Sequence, residues 1–319
     1  MKRKVPGKFA CSMLLLAAAV VWGISFVTQS VGGDILGPYA FNSVRMLMGA
    51  LVIFICTKTF SDRIGISARP DHRVKGHVKK QILVGIVCGI LLAVGTNLQQ
   101  VAIYMGTTTG KAGFVTALYI VLVPILGLFF RQRTGWNIWA AVVIAVAGLY
   151  FLCMKDGFSM GMADILLIGC ALGFALQIIV IDRFGKGLDG LRLAGMEFLV
   201  CGIISGVMAL IFEIIPYPGG FGAWIGIFVS GKLWISLLYM GIFSCGVGYT
   251  FQILGQQNLD PSLASIIMSL ESVFAAISGG LILGQVLSGR EYLGCVLMFA
   301  AVILAQVQFG KKNPEAESH

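Results

Sequence analysis

The chain has 319 residues, of which 58% are hydrophobic and only 12% charged. Soluble domains carry about twice that share of charge, so a free-standing globular protein is excluded. A net charge of +9 would suit nucleic acid, but the Lys and Arg residues flank long apolar runs, where they set orientation in a bilayer, and no nucleic-acid-binding module accompanies them.

In chain order, apolar runs of membrane-crossing length fall near residues 9–30, 38–57, 81–104, 109–130, 136–154, 162–182, 192–213, 232–254, 262–284 and 289–309. The pattern predicts an all-α, polytopic membrane protein of ten transmembrane helices. The first run follows the basic Met1-Lys2-Arg3-Lys4, and Ala17 to Ala19 offer small residues for cleavage. It nevertheless continues to about Val27 and reads as a span, not a removed signal. Lys111 sits near the start of the fourth run and Glu197 interrupts the seventh. The longest hydrophilic stretch, 58–80, is too short for a soluble domain, and outer loops such as 31–37 are shorter. The eight cysteines lie in apolar runs or at their edges. None forms a C-x-x-C pair, so they read as small buried hydrophobes, not as disulfides or zinc ligands. No metal or cofactor is expected.

Orientation follows from the basic residues. With the N-terminus in the cytoplasm, ten spans return the C-terminus there, and cytoplasmic segments hold 18 Lys and Arg against three, Lys155, Lys232 and Arg290, outside. That bias obeys the positive-inside rule and places both termini of a multi-pass chain on the cytoplasmic side of the inner or plasma membrane.

A shift of 152 residues lays part of the chain on itself. Arg45 falls on Glu197, Gly89 on Gly241, Gln100 on Gln252, Ala112 on Ala264, Leu118 on Leu270, Val121 on Val273, Gly127 on Gly279 and Trp22 on Phe174. The one offset carries the first five spans, 9–154, onto the last five, 162–309. Five is odd, so the halves enter the membrane in opposite directions. Inverted repeats of this kind bind solutes near the midplane, at the repeat interface. A duplication kept for packing alone is the other reading.

Several motifs resemble one family. Trp22-Gly23-Ile24-Ser25-Phe26-Val27 is similar to its first-helix tryptophan–glycine motif. Pro38, Phe41 and Arg45 resemble its second-helix pattern. Thr108-Thr109-Gly110-Lys111-Ala112-Gly113-Phe114 with Leu122-Val123-Pro124 resembles its fourth helix, and Leu270-Glu271-Ser272-Val273-Phe274 its ninth. The chain thus resembles the drug/metabolite transporter superfamily, in its ten-helix EamA-type branch, over about residues 9–309. Ser272 stands where the family usually has proline. Gly284-Gln285 and Arg131-Gln132-Arg133 replace its usual glycine–glutamate pairs. The resemblance implies a ten-helix bundle with a central cavity, alternating access, and amino acids, other metabolites or drugs as substrates, often exported.

A charge at a helix centre costs about 2.5–3.5 kcal/mol on insertion scales. Four lie within spans: Arg45, Lys111, Glu197 and Glu271. They are expected to face the interior and pair with each other or with substrate. Glu271 is the deepest, Arg45 lies nearer the outer end, Glu197 lies near the cytoplasmic end as a structural or interfacial group, and Lys111 is shallow enough to snorkel. Uncharged candidates for a substrate pathway are Trp22 and Ser25, Asn97, Gln99 and Gln100, Tyr119, Gln177, and Tyr249 with Gln252. Each can equally be interhelical glue. Pro124 should kink the fourth helix.

Three function classes are weighed. A secondary transporter of a small-molecule substrate needs no nucleotide-binding motif, and no G-x-x-x-x-G-K-[ST] occurs. A membrane-embedded enzyme needs a nucleophile with a base, or a metal cluster, yet His72, His77 and His319 all lie outside the spans. A channel or non-transporting receptor fits the duplicated halves less well. Substrate identity, coupling ion and oligomeric state are open.

Overall fold

In hydrocarbon every backbone N–H and C=O must find a partner within the chain, which leaves helices as the way for single segments to cross. The computed structural model describes residues 7–64, 77–107, 109–130, 134–153, 161–256, 258–283 and 288–306, and no strand occurs among them. The basic residues 1–4, most of the basic loop up to residue 76, Thr108, Arg131 to Arg133, Lys155, Gly284-Gln285, Lys311, Lys312, His72 and His319 lie outside the described residues, as does the side chain of His77.

The first three spans are α1 (Lys8–Leu36), α2 (Pro38–Ile64) and α3 (His77–Tyr104). The fourth is built from two pieces, α4 (Thr109–Ala117) and α5 (Tyr119–Phe129), and the fifth is α6 (Trp136–Cys153). The sixth is α7 (Met162–Phe184), and the seventh is α8 (Gly190–Ala209) with a wider π-turn, Leu210–Ile214. A short segment follows, α9 (Gly220–Ile225) and a 3-10 turn, Gly226–Val229. The eighth span joins α10 (Gly231–Leu238), a π-helical stretch Tyr239–Tyr249 and α11 (Thr250–Gln256). The ninth is again in two pieces, α12 (Pro261–Met268) and α13 (Glu271–Leu283), and the tenth is α14 (Gly289–Gln306).

Nine helical stretches among the described residues are long and apolar enough to cross a membrane, and a slightly shorter one, Trp136–Leu152, completes the expected ten. Burial follows the same logic. Leu51, Phe54, Val143, Val296 and Ile303 are exposed on the outside, whereas Asn42, Arg45, Gln100, Gln177 and Glu197 are buried. A water-soluble fold would reverse this; in lipid it is the low-energy arrangement.

The segment 220–229 is an element the apolar pattern did not single out. Its Trp224 joins Leu36, Phe41, Leu233 and Met240 in one apolar cluster, so it covers the ends of α1, α2 and α10.

Helices from the two halves interlock. The most extensive packing pairs are α2 with α8, α6 with α14, and α3 with α7. Meanwhile α1 packs on α10, α11 and α13, just as α7 packs on α3, α4 and α5. Small residues permit this closeness. A Cβ on Gly294 would stand 2.7 Å from the carbonyl oxygen of Gly148, so α6 and α14 touch backbone to backbone.

The interruptions of the fourth and ninth spans fall at matching places. Leu118 and Leu270, related by the offset of 152, each donate a backbone N–H three residues back, to Val115 and Ile267 (3.2 Å each). The expected kink at Pro124 is therefore displaced: α5 runs through Pro124 and the break precedes it. Proline cannot donate to the carbonyl of Ile120 and its ring presses on that group, and the adjoining turn is the one that tightens. The ninth span breaks without proline. There Ser265 Oγ donates to Ser262 O and Ser269 Oγ to Ile266 O, both at 2.8 Å. Hydroxyl bonds to the preceding turn bend helices, which supplies at Ser269 the break that proline supplies elsewhere.

Candidate functional site

The two interruptions place Tyr119 and Glu271 at the first position of α5 and α13. They face a common cavity at the centre of the bundle, which α1, α2, α3, α7 and the eighth span complete. Counting the part continuous with solvent, the space between these helices is about 560 Å³.

Nine of the substrate-pathway candidates nominated from sequence line it: Trp22, Ser25, Arg45, Gln99, Tyr119, Gln177, Tyr249, Gln252 and Glu271. Trp22 forms one wall. Its Nε1 donates to Ser244 O at 3.2 Å, and its ring meets Tyr249 at 4.9 Å. The indole reaches this position only because residue 248 is glycine, where a Cβ would stand 2.6 Å from Nε1. Tyr249 in turn meets Phe198 edge to face at 5.3 Å.

Arg45 is 3% exposed. Its Nε donates to Asn42 Oδ1 at 2.8 Å, and the guanidinium lies 5.9 Å from the Phe41 ring centre. Asn42 is itself fixed, donating to Thr96 Oγ1, Asn97 Oδ1 and Ser205 Oγ. No carboxylate among the described residues pairs with Arg45, and its terminal nitrogens have no acceptor there. A guanidinium held by one nitrogen presents the others as a fork suited to a carboxylate.

Glu271 accepts a long hydrogen bond from Tyr119 OH, 3.4 Å, and no cation among the described residues pairs with it. Gln252 lies across the cavity with its Oε1 unpartnered. Gln177 donates through Nε2 to Glu197 Oε2 at 2.9 Å.

Three nominated residues do not line the cavity. Asn97 sits behind Arg45 as an acceptor for Asn42. Gln100 is turned toward α1, donating to Gln29 O at 3.1 Å. Lys111 forms an ion pair with Asp164 Oδ2 at 2.8 Å, between the first turns of α4 and α7. Of the two expected pairings for the four intramembrane charges, with each other or with substrate, the first does not occur among the described residues. They sit on different helices and at different depths, and Arg45, Lys111, Glu197 and Glu271 each take a separate partner. Glu197, expected as a structural or interfacial group, is 0% exposed, packed against α2 and α3 and hydrogen-bonded to Gln177 of α7.

Gln29, Thr96, Phe174, Ile178 and Met268 line the cavity as well and were not singled out. The 152-residue offset carried a usable signal for two of them, because it maps Trp22, Ser25 and Phe26 onto Phe174, Gln177 and Ile178, all six of them lining residues. The wall thus offers one cation, one acid, amides and aromatic faces. No cluster of metal-ligating side chains occurs among the described residues.

A model of the EamA-like transporter family matches residues 10–154 and again 161–306. The chain belongs to the EamA-like transporter family. Among curated relatives, an uncharacterized transporter of Archaeoglobus fulgidus is 27% identical, over 92% of this chain and 85% of its own. The threonine/homoserine exporter RhtA of Salmonella typhimurium is 26% identical over 94% and 92%. The uncharacterized inner membrane transporter YedA of Escherichia coli is 22% identical over 91% and 89%. A solved crystal structure superposes with a TM-score of 0.73 at 17% identity, covering 94% of this chain and 97% of that one. That likeness is one of fold. For an EamA-like protein, a central cavity bounded by helices of both halves is where a solute would pass.

Proposed function

We propose that this family member is a secondary carrier for a small zwitterionic metabolite of amino-acid type, moved outward across the inner or plasma membrane by alternating access. The observation that carries the reading is one cavity holding an Arg45 fork and a Glu271 carboxylate, neither paired with an opposite charge among the described residues. Arg45 is matched to a substrate carboxylate and Glu271 to its ammonium group. The aromatic faces of Trp22 and Tyr249 accommodate the carbon skeleton. The family membership supports transport rather than catalysis, and the exporter RhtA supports both the direction and the amino-acid class.

In this reading the moving parts are two inverted five-helix repeats, 9–154 and 162–309. Support comes from the matched interruptions at Leu118 and Leu270, and from the bond between Tyr119 and Glu271, which are 152 residues apart. Two equivalent positions can meet only near the axis that relates them. Both termini are assigned to the cytoplasm, and reporter fusions at each end are expected to read from that side. A periplasmic signal from either would defeat the orientation.

The deciding experiment is counterflow in proteoliposomes with a panel of radiolabelled amino acids, threonine and homoserine included. Saturable uptake accelerated by unlabelled solute inside is expected. Conductance without saturation or exchange would overturn the carrier in favour of a channel.

A further inference from the structure

Glu197 has no part in the carrier described so far, yet it is the most enclosed acid among the described residues. It is 0% exposed on α8. Oε2 accepts from Gln177 Nε2 at 2.9 Å, while Oε1 accepts no hydrogen bond. The groups that face it are the thiol of Cys88 on α3 and, one turn along α8, that of Cys201. Beyond Cys201 stands Arg45 of α2, and Tyr249 of the eighth span meets the neighbouring Phe198. No cation among the described residues pairs with Glu197.

Its one strong partner, Gln177, is also a wall of the cavity. An amide has a donor end and an acceptor end. With NH2 turned to Glu197, the carbonyl oxygen of Gln177 is left for the cavity. An ionised carboxylate is acceptor-only and holds the amide in this sense. A protonated one is a donor. With the amide unchanged, an added proton on Oε1 would meet only the weakly accepting sulfur of Cys88, and a buried donor so poorly met costs about 1–3 kcal/mol. Turning the amide over removes that cost: the acid O–H donates to Gln177 Oε1, and NH2 swings into the cavity.

We propose that Glu197 is a proton-dependent positioning residue which, through Gln177, decides whether the cavity offers an acceptor or a donor to the substrate's amine. This rests on the zwitterion reading and adds its coupling. With Glu197 ionised, the Gln177 carbonyl joins Glu271 in receiving the ammonium group. When a proton from cavity water binds Glu197, the amide presents NH2 and the ammonium group loses an acceptor. Proton and amine then compete, which is the requirement for exchanging one against the other. No other bond is made or broken.

The test is infrared difference spectroscopy of the purified full chain between alkaline and acid pH, which needs no substrate. A protonated-carboxyl C=O band is expected to rise on acidification. One component of that band should be lost in Glu197→Gln, remain in Glu271→Gln, and change frequency and midpoint in Gln177→Met. If Glu197→Gln removes no component of the band, or if that component ignores Gln177→Met, the switch is overturned. Should Glu197→Gln not purify, the comparison of wild type with Gln177→Met decides alone. The readout is independent of transport, so absence of counterflow would sink the carrier while leaving this result to stand or fall by itself. Where counterflow is observed, the KM for an amine substrate should rise more steeply as the pH falls in wild type than in Glu197→Gln.

Discussion

Arg45→Gln is expected to raise the KM for a zwitterionic substrate by roughly 10- to 100-fold while the protein still folds. A hydrogen bond to a charged group contributes about 1.5–3 kcal/mol, and each 1.4 kcal/mol is about tenfold in affinity. The fork is offered to the cavity, and the protein uses only Nε, bonded to Asn42 at 2.8 Å. Gln can donate to the same oxygen. The substitution also removes a buried cation whose insertion costs about 2.5–3.5 kcal/mol, so thermal stability in detergent should hold or rise. That opposition is the informative part: a residue that costs stability and is released from its charge should lose function, not structure. Arg45→Lys keeps the charge and forfeits the planar fork, and should fall between wild type and Gln. Normal counterflow in Arg45→Gln would remove the anion site from the mechanism.

The sequence made the spans legible because a bilayer imposes length, hydropathy and charge bias together, and these survive without any knowledge of packing. Rotation about each helix axis was not legible. On α3, polar residues occur at 96, 97, 99 and 100, and successive residues point about 100° apart. Thr96 and Gln99 share the face that lines the cavity, while Asn97 and Gln100 share the next face, where they meet Asn42 and Gln29. A cluster in sequence thus divides between cavity and scaffold. For Glu197, too, distance along α8 from the helix end says nothing of the neighbours around it, which come from α2, α3 and α7. Lys111 drew attention as a lone cation, but its partner Asp164 is acidic in the first turn of another helix, a position that looks like ordinary capping.

The interruptions were half legible. Pro124 marks the fourth span as one to break, but the break falls at Leu118, and the ninth span breaks at Ser269 by hydroxyl bonding that no breaker residue announces. Both breaks matter to the site. They turn the first residue of each following piece, Tyr119 and Glu271, toward the centre, where side chains of two antiparallel pieces can reach one another.

Glu271→Gln should separate the two ends of the substrate. The variant keeps the shape and the hydrogen bond from Tyr119 but has no charge to receive an ammonium group. Loss of one charged interaction of about 1.5–3 kcal/mol predicts a roughly 10- to 100-fold rise in KM for an amino acid. The corresponding 2-hydroxy acid, which carries the carboxylate without the amine, should be affected far less. Arg45→Gln should penalise both solutes alike, since both carry the carboxylate. Tyr119→Phe removes only a long neutral donor, 3.4 Å from Glu271, and should cost a few-fold, in keeping with about 0.5–1.5 kcal/mol for an ordinary hydrogen bond. The four solute–variant combinations form a cycle read by competition for counterflow. If Glu271→Gln weakened the amino acid and the hydroxy acid equally, the carboxyl would be acting on the bundle and not on the amine, and the zwitterion assignment would fail with it.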